Sequence, residues 1–240
     1  MRILRYIYTI WAVFWLAFTF LLCYPLMFIG ALHSAVHRLT HIMNKVWAFT
    51  FFRGVGFFDK KIGFTKIKGP VVYCANHTSY LDIPLLFRTI PGFFMIIGKS
   101  ELAKVPLFGF VFSRVYITVN RKNAKDAHDS YKKCIHAIEK GRSIVFFPEG
   151  TIPRDIAPKL GKFKEGCFRL AIEKKVPLVP VALPYNWRIF PDYGDRLLTL
   201  IRPLAIFSTP IQTKELDATQ IQALSEISKN IIEEEITKYN

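Results

Sequence analysis

An apolar run at residues 7–32, IYTIWAVFWLAFTFLLCYPLMFIGAL, restricts what this chain can fold into more than any other feature. It holds no charged side chain, and its 26 residues exceed the roughly 20 that a helix needs to cross the hydrocarbon of a bilayer. In lipid every backbone N–H and C=O must be paired inside the protein, so such a run is helical. Arg2 and Arg5 precede it and the small residues of 31–35 follow it, the outline of a cleaved leader. Its apolar core is too long and too aromatic for a leader, and it reads as a retained anchor. Pro25 and Gly30 offer places to bend, and a second apolar stretch at 46–58 is too short to cross. A hairpin or a helical pair fits these residues better than a single crossing. Basic side chains lie on both sides, Arg2 and Arg5 before the run and Arg38, Lys45, Arg53, Lys60 and Lys61 after it; the excess after it puts the remainder of the chain in the cytoplasm.

The 240 residues, 51% hydrophobic and 15% aromatic, suffice for one domain with a real core besides this anchor. We divide the chain into a membrane-embedded helical segment, 1–60, and a catalytic domain, 61–240, with Gly69 and Pro70 at the entry to the domain's core. Short β-rich runs at 71–75, 93–97, 115–119, 143–147, 178–183 and 198–207 alternate with helical patterns at 124–139, 165–175 and 218–238. The fold class expected is α/β, a mixed β-sheet flanked by helices and preceded by the hydrophobic helical anchor. Pro177 and Pro180 predict an edge strand at 178–183 or its entry, because proline cannot donate to a central ladder.

A formal net charge of +15 points to a polyanion. No zinc finger, RNA-reading aromatic motif or helix-turn-helix pattern accompanies it, so we expect no nucleic acid and assign the charge to anionic lipid headgroups. Cysteines 23, 74, 134 and 167 have neither metal-like spacing nor a disulfide framework. His33, His37 and His41 share a helical face at spacing four, read as a polar stripe on an interfacial helix rather than as metal ligands.

Two motifs carry chemistry. Residues 76–82 read NHTSYLD and residues 147–151 read FPEGT, each just after an apolar strand. An imidazole near its working pKa can take a proton from an alcohol, and a carboxylate beside it fixes its tautomer and stabilises the imidazolium. His77 is the candidate base and Asp82 its orienter. Thr78 and Ser79 adjoin His77, yet local adjacency does not give the serine, histidine and acid of a covalent triad. The Gly-rich turn at Glu149, Gly150 and Thr151 offers backbone N–H groups to an oxyanion, with Lys99 as a second donor. Aromatic stretches 87–94 and 108–112 either line an apolar groove or fill the core.

Two further blocks complete the pattern: GKSELAKVPLFG at 98–109 followed by VYITVNR at 115–121, and VPLVPVAL at 176–183. With these four blocks in this order, over about half the chain, the sequence resembles the glycerolipid acyltransferases typified by 1-acylglycerol-3-phosphate acyltransferase. The resemblance implies His77 and Asp82 as catalytic residues, and Lys99, Arg121, Glu149, Gly150, Thr151 and Arg154 as substrate-binding residues. It implies an acyl thioester, from acyl-CoA or acyl carrier protein, as co-substrate, with no bound cofactor and no metal. The acceptor is then a lysophospholipid: lysophosphatidate giving phosphatidate, or another lysophospholipid or lyso-aminolipid. It also implies a helical pair embedded in one leaflet, and the location we expect is the inner membrane with the catalytic domain facing the cytoplasm. One departure stands out: many family members have Arg immediately after FPEGT, where this chain has Ile152 and Pro153 and reaches arginine only at Arg154. A membrane lipid-binding protein that keeps the fold without catalysis is the reading of a different class.

Overall fold

The computed structural model describes residues 2–63, 67–153 and 157–239. Residues 2–54 form an antiparallel helical hairpin, α1 (Arg2–Leu32) and α2 (His37–Gly54), joined by a single 3-10 turn. At 1.5 Å per residue α1 is about 46 Å long and runs unbroken through Pro25. The two helices are bound by side chains reaching backbone carbonyls. Tyr8 donates to Val55, Trp11 to Gly54, Trp15 to Thr50 and Trp47 back to Leu16, while Thr40 donates to Met27. A tryptophan buries an apolar body and still has one N–H to place, and the last turn of a helix leaves carbonyls to receive it. His41, read from the sequence as part of a polar stripe, is instead buried, its ring nitrogens paired with the Tyr116 hydroxyl and the Gly92 carbonyl.

The remainder alternates strand and helix: β1 (Lys60–Ile62), β2 (Val72–Ala75), α3 (Asp82–Thr89), β3 (Phe94–Lys99), α4 (Phe108–Val115), β4 (Ile117–Val119), α5 (Ala124–Glu139), β5 (Ser143–Phe146), α6 (Gly166–Glu173), β6 (Leu178–Ala182), α7 (Asn186–Ile189), β7 (Leu204–Phe207) and α8 (Ile221–Tyr239). The strands make one sheet in the order β1-β7-β6-β2-β5-β3-β4. Every pair is parallel except β6 with β7, so the sheet is mixed, as expected. Period-two alternation sorts the strands between two layers. Tyr73, Ala75, Val145 and Val179 face the hairpin and α3, in a core that includes Phe52, Phe57 and Phe94. Val72, Cys74, Ile144 and Leu178 face α5, α6 and α8 around Phe168 and Leu170. Burying each large apolar side chain contributes roughly 1.5–3 kcal/mol.

Two expectations are corrected. Residues 198–203 are not strand, and β7 begins only at Leu204. Pro180 sits inside a central strand, between β2 and β7, rather than at an edge. Its carbonyl accepts from Ser208 on the β7 side, where the ladder is limited to Val181 and Ala182, so the absent N–H falls where pairing has already frayed. The aromatic stretches 87–94 and 108–112 fall largely in α3, β3 and α4, where Phe87, Phe94 and Phe112 are buried in the core.

Candidate active site

The C-terminal ends of five parallel strands converge, the place where open α/β sheets bind ligands. His77 follows β2, Lys99 ends β3, Arg121 follows β4, Gly150 follows β5 and Asn186 follows β6. His77 Nδ1 lies 2.8 Å from Asp82 Oδ2. The Asp82 side chain is 0% exposed, whereas that of His77 keeps 16% of its surface open. The same carboxylate oxygen accepts the backbone N–H groups of Thr78 at 2.7 Å and Ser79 at 3.0 Å. The other, Oδ1, accepts Asn186 Nδ2 at 2.7 Å. A carboxylate bound by donors on every side is an acceptor only, so Nδ1 carries the proton and Nε2 has its lone pair for a substrate hydroxyl. Beneath the imidazole, Phe147 stacks with a centroid separation of 4.1 Å and fixes the ring plane.

The loop that carries His77 is tied down on both flanks. Asn76 exchanges two hydrogen bonds with the backbone of Leu183, accepting at 2.7 Å and donating at 3.3 Å. Ser79 donates from Oγ to the Phe190 carbonyl at 2.7 Å and is fully buried, so it is a clamp and not a nucleophile poised at His77. Glu149 is 7% exposed, with Oε1 accepting the His77 N–H at 2.9 Å and Oε2 the Gly161 N–H at 2.8 Å. Its position in the sequence suggested substrate contact; here its carboxylate braces the backbone of His77 instead. Burial pushes the Glu149 carboxyl above its ordinary value, against the two N–H bonds that pull it down. The thiols of Cys74 and Cys134 are likewise raised by burial, that of Cys134 to about 12, which suits inert packing groups.

A cavity of about 710 Å³ opens beside His77. Lys99, Arg121, Gly150 and Thr151 line it together with His77, so four of the expected binding residues share one space with the candidate base. Lys99 Nζ is 3.3 Å from Thr151 Oγ1. Gly150 has φ +78°, and a Cβ there would lie 3.1 Å from both Arg121 Nη1 and Lys164 Nζ, which shows how closely two cations crowd that turn. The Gly150 N–H donates to the Phe147 carbonyl and is therefore spent within the turn rather than offered to an oxyanion. Ile152 and Pro153 also line the cavity, while Arg154 lies outside the described residues. Much of the remaining lining is apolar and comes from the hairpin and α4, including Leu16, Phe20, Phe51, Phe108 and Phe112. Among the described residues no group of three or more His, Cys, Asp or Glu side chains is arranged to hold a metal.

Asn76, Phe147 and Asn186 carry no assigned role in the sequence reading. Asn76 and Phe147 lie inside or beside the two motifs, so their neighbourhood was visible. Asn186 is 104 residues from Asp82, and only the pairing of β6 with β2 brings it there.

The sequence model of the family described as Acyltransferase matches residues 58–184. The chain is 31% identical over 163 residues to the chloroplastic 1-acyl-sn-glycerol-3-phosphate acyltransferase of Arabidopsis thaliana, covering 68% of this chain and 45% of that protein. It is 33% identical over 154 residues to the 1-acyl-sn-glycerol-3-phosphate acyltransferase of Saccharomyces cerevisiae, covering 62% of this chain and 50% of that one. The chain thus spans about half the length of these relatives. Its fold matches the crystal structure of the 1-acyl-sn-glycerophosphate acyltransferase PlsC from Thermotoga maritima, with a TM-score of 0.76, 20% identity, and 97% and 96% of the two chains covered.

Proposed function

The chain belongs to the acyltransferase family, and on that premise we propose that it moves an acyl group from a thioester to the free hydroxyl of 1-acylglycerol-3-phosphate, giving phosphatidate. The observation that carries this reading is the imidazole of His77, held by a fully buried carboxylate at 2.8 Å and lining a cavity together with the cations Lys99 and Arg121 and several aromatic rings. His77 Nε2 takes the hydroxyl proton as the oxygen attacks the thioester carbonyl. The tetrahedral intermediate then collapses with cleavage of the C–S bond, and the imidazolium returns the proton to the leaving thiolate. Arg121 and Lys99 supply charge for the acceptor's phosphate and for the developing oxyanion. Either acyl-CoA or an acyl carrier protein serves as donor in this scheme, and no bound cofactor takes part.

The hairpin has the length and exposed apolar surface to sit in a bilayer: Ile7, Ile10, Phe14, Leu21 and Leu22 of α1 all face outward, as does Phe49 of α2. We place it in the cytoplasmic leaflet of the inner membrane, where the apolar wall of the cavity meets the lipid and the basic wall meets the headgroups. A second acceptor reading rests on Ile152 and Pro153, which put apolar surface on the cavity directly after FPEGT. A lysophospholipid with a larger headgroup, or a lyso-aminolipid, suits that wall.

Thiol release from acyl-CoA and from acyl carrier protein by the detergent-purified protein tests these readings, with lysophosphatidate and the other lysolipids as acceptors. Release that requires lysophosphatidate, and falls about 100-fold or more in His77→Ala, is the expected outcome. Release with another acceptor alone moves the assignment to that lipid. A His77→Ala variant of undiminished rate removes the mechanism.

A further inference from the structure

We propose that Asn186 is a positioning residue for the His77 and Asp82 pair, holding the carboxylate so that Oδ2 faces the imidazole and limiting how strongly the acid attracts the imidazole proton; this rests on the acyl-transfer reading above. Asn186 is fully buried, opens α7, and places Nδ2 2.7 Å from Asp82 Oδ1. Oδ2 already receives three donors, from His77, Thr78 and Ser79, so the amide is the donor that occupies the remaining oxygen. The orientation of the amide is fixed by chemistry, because the reverse would set Oδ1 against an ionised carboxylate.

The backbone around Asn186 is clamped to the catalytic loop on both sides. Three residues earlier the Leu183 backbone is paired with Asn76, and four residues later the Phe190 carbonyl accepts from Ser79. The Phe190 N–H in turn closes on the Asn186 carbonyl at 2.9 Å. Asn186 therefore meets Asp82 from a frame that cannot drift relative to His77. Its Oδ1 has no hydrogen-bond partner among the described residues. An amide buried with its acceptor unsatisfied is unfavourable, and leucine of similar volume would pack the same space; the donor is what leucine lacks. Without that donor Oδ1 loses its partner while Oδ2 keeps its three, and the carboxylate becomes more basic, which favours the imidazolium and removes the base from its working form.

The test uses the full chain in detergent, with Asn186→Ala and Asn186→Leu, the second keeping the volume in case the first fails to fold. The expected result is a kcat lower by about 10–100-fold, with KM for thioester and lysolipid within about two-fold of the wild type. The acid limb of the kcat/KM profile moves to higher pH. Glu149 and Asp192, and the cations Lys99 and Arg121, also face the site and are unchanged in both variants, so the displacement isolates the change at Asp82. Following the His77 ring protons by NMR across the same pH range gives the displacement without turnover, and separates failure of this inference from a wrong choice of substrate. A titration that does not move in a folded variant, whatever its activity, assigns Asn186 to scaffolding alone and overturns the proposal, as does an unchanged kcat.

Discussion

Glu149 shows how a residue in a chemical motif acts through another. Its two oxygens accept N–H groups from the His77 loop and from Gly161, so the motif at 147–151 holds the base in place from behind. Glu149→Gln keeps the shape but turns an amide NH2 toward one of those N–H donors. We expect a loss of about 1–3 kcal/mol in stability and a lower kcat, read from unfolding in detergent and from steady-state rates. The pH dependence has a defined sign. Burial raises this carboxyl above its unfolded value, so its stabilising contribution is complete below the ordinary glutamate pKa of about 4.3 and is lost as pH rises through the folded value. The stability of wild type minus that of Glu149→Gln should accordingly shrink as pH rises from about 4; a difference that grows would show that the two N–H bonds outweigh burial. His77, Asp82 and the glycine turn were legible because the chemistry sits within a few residues. The brace was not, since FPEGT specifies a glutamate without saying which way it points.

At the scale of elements, the hairpin depends on close approach of two helices. A Cβ on Gly54 would overlap the Trp15 indole, whose N–H is bonded to the Thr50 carbonyl one turn away. Gly54→Ala must push the helices apart and break that bond together with the one from Trp11 to Gly54. A destabilisation of about 1–3 kcal/mol, seen as a lower unfolding temperature, is the expected outcome. The sequence showed α5 at 124–139 with its true limits, because Asn123 caps it by accepting the Asp126 N–H and its apolar face repeats regularly. It did not show β1, whose three residues are Lys60, Lys61 and Ile62 at the sheet edge, where charge replaces the usual alternation. It began β7 too early because Leu198 and Ile201 are apolar through packing on the hairpin-side core, not through membership of the sheet.

For the whole molecule, the division at residue 60 is a boundary of composition. Met27, Ala48, Phe51 and Phe52 of the hairpin share one continuous core with Ile96, Val145 and Val181 of the sheet. Arg5 donates to the carbonyls of Leu197 and Leu198, and Thr9 accepts the Leu198 N–H, so α1 also holds the loop that forms part of the cavity rim. Deleting residues 2–58 should therefore leave a chain with no cooperative unfolding transition and no thiol release, even in detergent; a folded and active remainder would show that the hairpin is only an anchor. This continuity was hidden in the sequence because an apolar run reads the same whether it faces lipid or protein.

The clamps on the catalytic loop join residues 107, 104 and 111 positions apart. A chain made from its N-terminus has its hairpin complete long before Asn186 and Phe190 emerge, and closing such distant contacts is a late step. On the proposed reading, the nascent protein can reach a membrane while His77 is still unheld, and the base is braced only once Leu183, Asn186 and Phe190 have been translated.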